Sequence, residues 1–458
     1  MRDEEKLAAG LVLAAALCVS VVPVLGAVHD PDAFWHFATG ELILREGVPR
    51  ADPFSWSAAG ARWVPHEWGY EALIAAARRA GGYPGAVTAH AVLAAGLVLS
   101  VFRLARVAGA SKAGAAGCAL LAALMLQPVL VLRPQVASYG LFAWWLGRLL
   151  EGRARWAEGA AVAVLWANLH GSFPLLPGLT AAWALLSPGR RAALGLMAAL
   201  QAAAACLNPA GPGLWAYAVW CAFRPEFRAI SEWQSWDFSQ PLAWPVLALA
   251  CLLPVVAGKS RGLSRPVLPV AAVCMGAALV SARYYAYFVL AAVPVLSPLL
   301  DQVRGRALAA ASVVLAVVLA VVAGVSLPGD VVAGDGYPVG GVDYVQAAGL
   351  ERVIAEYTWG GYLIFRGVPV FIDGRADVYV PTAVWDEYLR FRRGEGTAEV
   401  ASRWKAGACL LEPGSRAGKE LVRAGWQVAY SDRVCEVLVP AGGVRADERS
   451  VPVGSDPH

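Results

Sequence analysis

From the amino terminus to about residue 327, apolar stretches rich in Ala, Leu and Val alternate with short breaks that carry Arg, Pro or Gly. About eleven such runs can be delimited, near residues 7–28, 86–105, 113–132, 135–150, 157–169, 172–187, 191–207, 241–257, 265–281, 284–300 and 307–327. They last roughly 16 to 22 residues, the ones between 135 and 187 being short, and such lengths let a helix cross about 30 Å of hydrocarbon. The pattern predicts an all-α polytopic membrane bundle of about 11 transmembrane helices. Two stretches between the first and second runs read differently. The segment AFWHFATGELILRE, opened by Pro31 and Asp32, predicts a helix of about four turns with Asp32 as N-cap. Its Glu41 and Arg45 stand four apart in the favourable order, and its aromatic end suits a helix lying along the outer membrane surface. After Gly47, Pro49 and a DPFS turn, a second amphipathic helix is predicted from about Glu67 to Ala80.

Past Leu327 and Pro328 the pattern changes to that of a soluble domain. Short β-rich pieces at 352–356, 361–365, 370–372, 408–411, 427–430 and 434–439 alternate with helical ones at 342–348, 383–392, 397–406 and 419–424. That alternation predicts a small α/β domain. The chain thus divides into a membrane domain over 1–328, an exported α/β domain over 329–440 and a disordered tail over 441–458.

Composition agrees with a membrane protein: 58% of the residues are hydrophobic and 16% charged, with a mean hydropathy of +0.53, against about half and a quarter in soluble domains. A net charge of +4 is too small to point to nucleic acid, and the basic residues are better explained by topology. Arg and Lys gather in every second connection (Arg103, Arg106 and Lys112; Arg148, Arg153 and Arg155; Arg190 and Arg191; Lys259 and Arg261), which makes those connections cytoplasmic. The amino terminus is then inside, the exported domain outside, and the first run a retained helix. A bacterial cytoplasmic membrane suits this layout. Six cysteines lie in or beside apolar runs as small hydrophobes. Cys409 and Cys435 fall in the exported domain, where an oxidising compartment permits a disulfide.

The candidate chemistry collects at the outer ends of the helices. The first loop, residues 29–71, holds Asp30, Asp32, His36, Glu41, Asp52, His66 and Glu67 among seven Phe and Trp residues, a density that a mere connection does not need. On the same side fall Arg133, Asn168, His170, Glu232 with Trp233 and Trp236, Arg283 and Tyr284. Charges at membrane depth cost about 2.5–3.5 kcal/mol at mid-helix on insertion scales, so a one-sided gathering calls for a cavity filled by water or ligand. Asp30 and Asp32 suit a general base or a cation site, although a cap and a solvated loop residue would look the same. His36, one turn beyond Asp32, adds a possible third ligand for a divalent cation such as Mg or Mn. Arg133 and Arg283 suit a phosphate, against snorkelling to headgroups. His66, Glu67, Asn168, His170 and Tyr284 are candidates to line the cavity; for Glu67 the competing role is that of a helix-start residue. Arg375 and Asp377 read first as a structural ion pair.

The segments HDPDAFWHFATGELIL and DPFSWSAAGARWVPHEW, followed by many spans and an exported α/β tail, resemble the GT-C superfamily of membrane glycosyltransferases, which includes dolichyl-phosphate-mannose protein mannosyltransferase-like enzymes and bacterial lipid A sugar transferases. Residues 7 to about 327 fit that architecture. The resemblance implies a reaction centre at Asp30 or Asp32, assistance from Glu232, and transfer of a sugar from a polyprenyl-phosphate carrier to a lipid or glycan acceptor. The chain lacks the WWDYG-type signature of oligosaccharyltransferases, which speaks against transfer of a whole oligosaccharide. A transporter or flippase of a lipid-linked glycan, or a non-catalytic envelope assembly protein, would share the polar cavity without the chemistry.

Overall fold

The computed structural model describes residues 2–259, 266–300, 305–323 and 328–442. The chain forms two compact units, one of residues 1–51 and 62–332, the other of Asp52–Ala61 and 333–458.

Among the described residues, thirteen helices build the first unit: α1 (Arg2–Val21), α2 (Pro31–Glu46), α3 (Trp68–Val107), α4 (Lys112–Leu126), α5 (Gln135–Leu150), α6 (Trp156–Leu169), α7 (Leu175–Leu185), α8 (Arg191–Ala204), α9 (Gly213–Phe223), α10 (Trp244–Lys259), α11 (Val267–Val280), α12 (Tyr285–Leu300) and α13 (Gly305–Ala323). Each apolar run of the sequence contains a helix within its described residues. The short α9, GLWAYAVWCAF, was not anticipated, because Pro212 and Asn208 interrupt the apolar pattern on which the runs were delimited. Large apolar side chains face outward along the helices, among them Val92, Leu99, Leu165, Leu196 and Val273. Helices apolar on all sides belong in lipid, and the protein is a multi-pass membrane protein. At the centre, α12 packs on α4, α5, α10 and α11 and buries Phe288, Leu290 and Val295, while α1 lies against α4 and α13.

Helices form over both first-loop stretches where they were expected, as α2 and the first part of α3. That second helix continues into the next span through a kink at Gly81 and Gly82. Gly82 has φ +64, and a Cβ there would stand 2.4 Å from the Gly329 carbonyl oxygen, so a side chain is excluded both by conformation and by space. Along α2, Phe34, Phe37 and Thr39 are buried. A Cβ on Gly40 would lie 2.1 Å from the Glu71 carbonyl oxygen, so the bare backbone of α2 sits directly on α3. Glu41 pairs with Arg79 at 2.8 Å rather than with Arg45, which meets Glu46.

The second unit holds α14 (Val339–Ala347), β1 (Val353–Ala355), α15 (Gly360–Phe365), α16 (Ala376–Tyr379), α17 (Ala383–Arg393), α18 (Thr397–Arg403), β2 (Ala408–Leu411), α19 (Arg416–Arg423), β3 (Gln427–Ser431) and β4 (Glu436–Val439). The sheet runs β1-β2-β4-β3, with β1 parallel to β2 and the other pairs antiparallel. Two expected strands are corrected. Residues 360–365 are helical despite their aromatic and β-branched content, since burying Tyr362, Leu363 and Ile364 outweighs a weak local preference. Residues 370–372 join no sheet. Instead Val370 bonds the Phe54 carbonyl at 3.1 Å and Trp56 bonds the Val370 carbonyl at 3.0 Å. The segment Asp52–Ala61, taken from the first loop of the sequence, is therefore part of the α/β fold. Cys409 and Cys435 are buried and unbridged. The tail expected at 441–458 lies, beyond Gly442, outside the described residues.

Candidate active site

Two carboxylates at the start of α2 anchor the site. Asp30, not Asp32, is the N-cap: its Oδ1 accepts from the Asp32 backbone N–H at 2.9 Å, with Pro31 at the first helical position. Asp32 sits in the first turn, where its Oδ1 accepts from Trp35 Nε1 at 3.0 Å. Between the two lies the guanidinium of Arg133. Its Nε reaches Asp30 Oδ1 and Oδ2 at 2.9 and 2.8 Å, and its Nη2 reaches Asp32 Oδ2 at 2.9 Å. Burial pushes the Asp32 carboxyl above the usual aspartate range, with the Arg133 charge pulling the other way.

Glu232, on the loop between α9 and α10, links two arginines: Arg133 Nη1 at 3.5 Å and Arg283 Nη1 at 3.0 Å. The Glu232 carbonyl is held by Ser281 Oγ at 3.1 Å, and the Arg283 guanidinium lies 4.6 Å from the centre of the Trp233 ring. These groups open on a cavity of about 280 Å³ lined by Asp30, Arg133, Glu232 and Arg283 together with Tyr139, His170, Ser172, Trp236, Tyr284 and Tyr287. A few convergent charges set among aromatic rings describe a ligand site of small-molecule size. The cavity's polar floor is a chain of hydrogen bonds. Ser138 Oγ meets Tyr287 OH at 3.0 Å, Tyr287 OH donates to Ser172 Oγ at 2.6 Å, and His170 Nδ1 stands 2.6 Å from the same oxygen.

Of the residues singled out in the sequence, Asp30, Asp32, Arg133, Glu232 and Arg283 form one network, and His170 and Tyr284 line the cavity with it. Arg133 is engaged by three carboxylates, so Arg283 is the arginine with capacity to spare for a phosphate. Four other candidates, His36, His66, Glu67 and Asn168, lie outside the lining of the cavity. His36 turns away from Asp32 and presents Nδ1 to Glu71 Oε1 at 3.1 Å and Nε2 to Glu67 Oε2 at 3.8 Å. Glu67 makes no capping bond at the start of α3; its Oε1 faces His66 Nε2 at 3.4 Å and His170 Nε2 at 3.5 Å. The trio Asp30, Asp32 and His36 is accordingly not gathered around one point. Asn168 ties helices together, accepting from Trp68 Nε1 at 2.8 Å and donating to the Leu207 carbonyl at 2.8 Å.

Tyr139, Ser172 and Glu71 were overlooked in the sequence. Glu71 alone carried a signal, since its spacing of four from Glu67 puts both carboxylates on one face of a helix. In the second unit, Arg375 is buried between Asp52 and Asp373, with Nη1 2.7 Å from Asp52 Oδ1 and Nη2 2.6 Å from Asp373 Oδ2.

No protein-family model matches the chain, and no curated protein matches it in sequence. Solved structures do match in fold. The archaeal oligosaccharyltransferase AglB from Archaeoglobus fulgidus, in complex with an inhibitory peptide and a dolichol-phosphate, superposes with a TM-score of 0.59 at 12% identity, over 89% of this chain and 70% of that one. ArnT from Cupriavidus metallidurans superposes with a TM-score of 0.56 at 15% identity in its apo state, over 93% of this chain and 97% of ArnT. The same enzyme bound to undecaprenyl phosphate gives 0.54 at 17% identity. The fold of this chain is the one that AglB and ArnT share.

Proposed function

We propose that the protein is a membrane glycosyltransferase that moves a sugar from a polyprenyl-phosphate donor to a hydroxyl of a lipid or glycan acceptor, with Asp30 as general base. The observation that carries this reading is the cavity of about 280 Å³ in which a carboxylate, Asp30, and an incompletely engaged arginine, Arg283, face the same space. The fold shared with AglB and ArnT, solved with dolichol-phosphate and undecaprenyl phosphate respectively, supports a lipid-phosphate donor. The Arg and Lys bias of the connections supports an outer-face site.

The reaction needs three things from these residues. An acceptor oxygen attacks the anomeric carbon as its proton passes to a carboxylate oxygen of Asp30. The bond from that carbon to the carrier phosphate breaks on the opposite side, so the configuration inverts. The departing polyprenyl phosphate gains negative charge, which Arg283 meets with charge-assisted hydrogen bonds, while Tyr284 lines the same cavity. Arg133 holds Asp30 in place, and Glu232 fixes the two arginines relative to each other. Aromatic rings of Trp236 and Tyr139 give the sugar an apolar face to rest on.

The test is transfer in reconstituted membranes supplied with radiolabelled polyprenyl-phosphate hexoses and pentoses. Asp30→Asn and Asp32→Asn, made separately, keep the fold, and Asp30→Asn abolishes transfer. Full transfer by Asp30→Asn would remove the general-base assignment, and a native chain that neither transfers any of these sugars nor retains polyprenyl phosphate in native mass spectrometry would remove the enzyme. A flippase would move lipid-linked glycan across vesicles without forming a new glycosidic bond.

A further inference from the structure

Beside the cavity, and not used by the proposed transfer, two carboxylates are buried where α3 begins. Glu67 and Glu71 stand one helical turn apart with 7% and 0% of their surface exposed, and His36 of α2, 2% exposed, lies against both. One ligand atom from each of the three can be chosen so that all lie within 4.8 Å of one another. His170, 3% exposed, comes in from the loop after α6 with Nε2 3.5 Å from Glu67 Oε1.

Hydrogen bonding leaves this cluster unfinished. Glu71 Oε2 and His170 Nε2 are both buried without a hydrogen-bond partner among the described residues. Buried polar atoms are nearly always satisfied, and an orphan in a polar cluster asks for an ion or water. Glu67 belongs to the cluster rather than to the helix end, since it makes no cap. Charge argues the same way: two carboxylates in a dry setting, facing imidazoles, are neutralised in full by one divalent cation.

We propose that His36, Glu67 and Glu71, with His170 alongside, form a buried site for one divalent transition-metal ion of the zinc class. Imidazole nitrogen and carboxylate oxygen are the donors such an ion accepts, whereas magnesium prefers oxygen alone. Ligand atoms about 2.1 Å from a tetrahedral ion stand about 3.4 Å apart. The separations of 3.1 Å between His36 Nδ1 and Glu71 Oε1 and 3.5 Å between His170 Nε2 and Glu67 Oε1 lie close to that value. The backbone is arranged to hold the geometry, because the close seat of Gly40 on the Glu71 carbonyl fixes α2, and with it His36, against α3. The ion would pin together α2, the start of α3 and the loop after α6. His170 borders the substrate cavity as well, so the same ion would fix one wall of it.

The test uses the full-length, tag-free chain in detergent, stripped with a chelator, dialysed against micromolar Zn²⁺ and analysed for metal by mass spectrometry. The native chain retains one zinc per molecule and its unfolding temperature rises on adding zinc. Glu71→Gln and His36→Asn lose both the metal and the rise, while Asp30→Asn keeps both. Should Glu71→Gln fail to fold, Glu67→Gln with His36→Asn carries the same comparison. A native chain that binds no zinc, variants that bind as much as it does, or a zinc lost with Asp30→Asn and kept with Glu71→Gln would each overturn the site. Every one of these readouts is independent of sugar transfer, so failure of the site and failure of the transferase reading are told apart.

Discussion

Two clusters in this protein are made of the same parts, an arginine held between two aspartates, and they serve opposite ends. At the mouth of the helical unit, Arg133 binds Asp30 and Asp32, with side chains 19%, 12% and 21% exposed. In the α/β unit, Arg375 binds Asp52 and Asp373, with side chains 1%, 0% and 0% exposed. The closed cluster is saturated. Asp373 takes Arg375 Nε, its backbone N–H and the Tyr379 hydroxyl, and Asp52 takes the backbone N–H groups of Phe54 and Ser55. The open one faces a cavity and is joined through Glu232 to a second arginine that is not saturated. A saturated, dry ion cluster fixes a chain segment, here the Asp52–Ala61 hairpin; a half-wet one at a cavity wall has charge left for a ligand.

Mutation separates the two. The largest effect is expected for Asp30→Asn, which lowers sugar transfer about 10²- to 10⁴-fold while the unfolding temperature stays near that of the native chain; a matching loss of stability would make the open cluster a second structural one. Next, Arg375→Ala leaves two buried carboxylates unpaired and costs the α/β unit about 3–5 kcal/mol, read as rapid proteolysis between residues 333 and 442 with the helical unit intact. Arg283→Ala removes charge-assisted bonds worth about 1.5–3 kcal/mol and weakens polyprenyl-phosphate binding about 10- to 100-fold, measured by native mass spectrometry against Arg133→Lys. The smallest change is Tyr379→Phe, which removes one hydroxyl from the closed cluster for about 1.5 kcal/mol and leaves donor binding unaltered.

The two clusters also mark how far the sequence could be read. Asp30, Asp32, Arg133, Glu232 and Arg283 were all legible as one-sided polar residues at helix ends, because charge near a membrane is costly enough to demand a reason. Their partners were not legible. Nothing in the spacing of Asp32 and His36 says that the imidazole turns to Glu71, 35 positions along, since that choice depends on Gly40 letting α2 sit on the α3 backbone. For that reason His36 is not gathered with Asp30 and Asp32. Asp52 stood among the first-loop acids as a candidate for the site, yet its partner is Arg375, 323 positions away.

Local pattern alone determined the helices of the membrane unit other than α9, the position of most of the α/β domain and the end of the bundle where the polar residues gather. Hydrophobic length and side-chain charge act residue by residue, so no tertiary information was needed. Tertiary structure decided which carboxylate meets which cation, that residues 370–372 bond a first-loop hairpin rather than the sheet, and that three histidines surround Glu67. Those outcomes follow from close backbone approach and from the need to satisfy every buried polar atom, and both are properties of distances between segments that the sequence holds far apart.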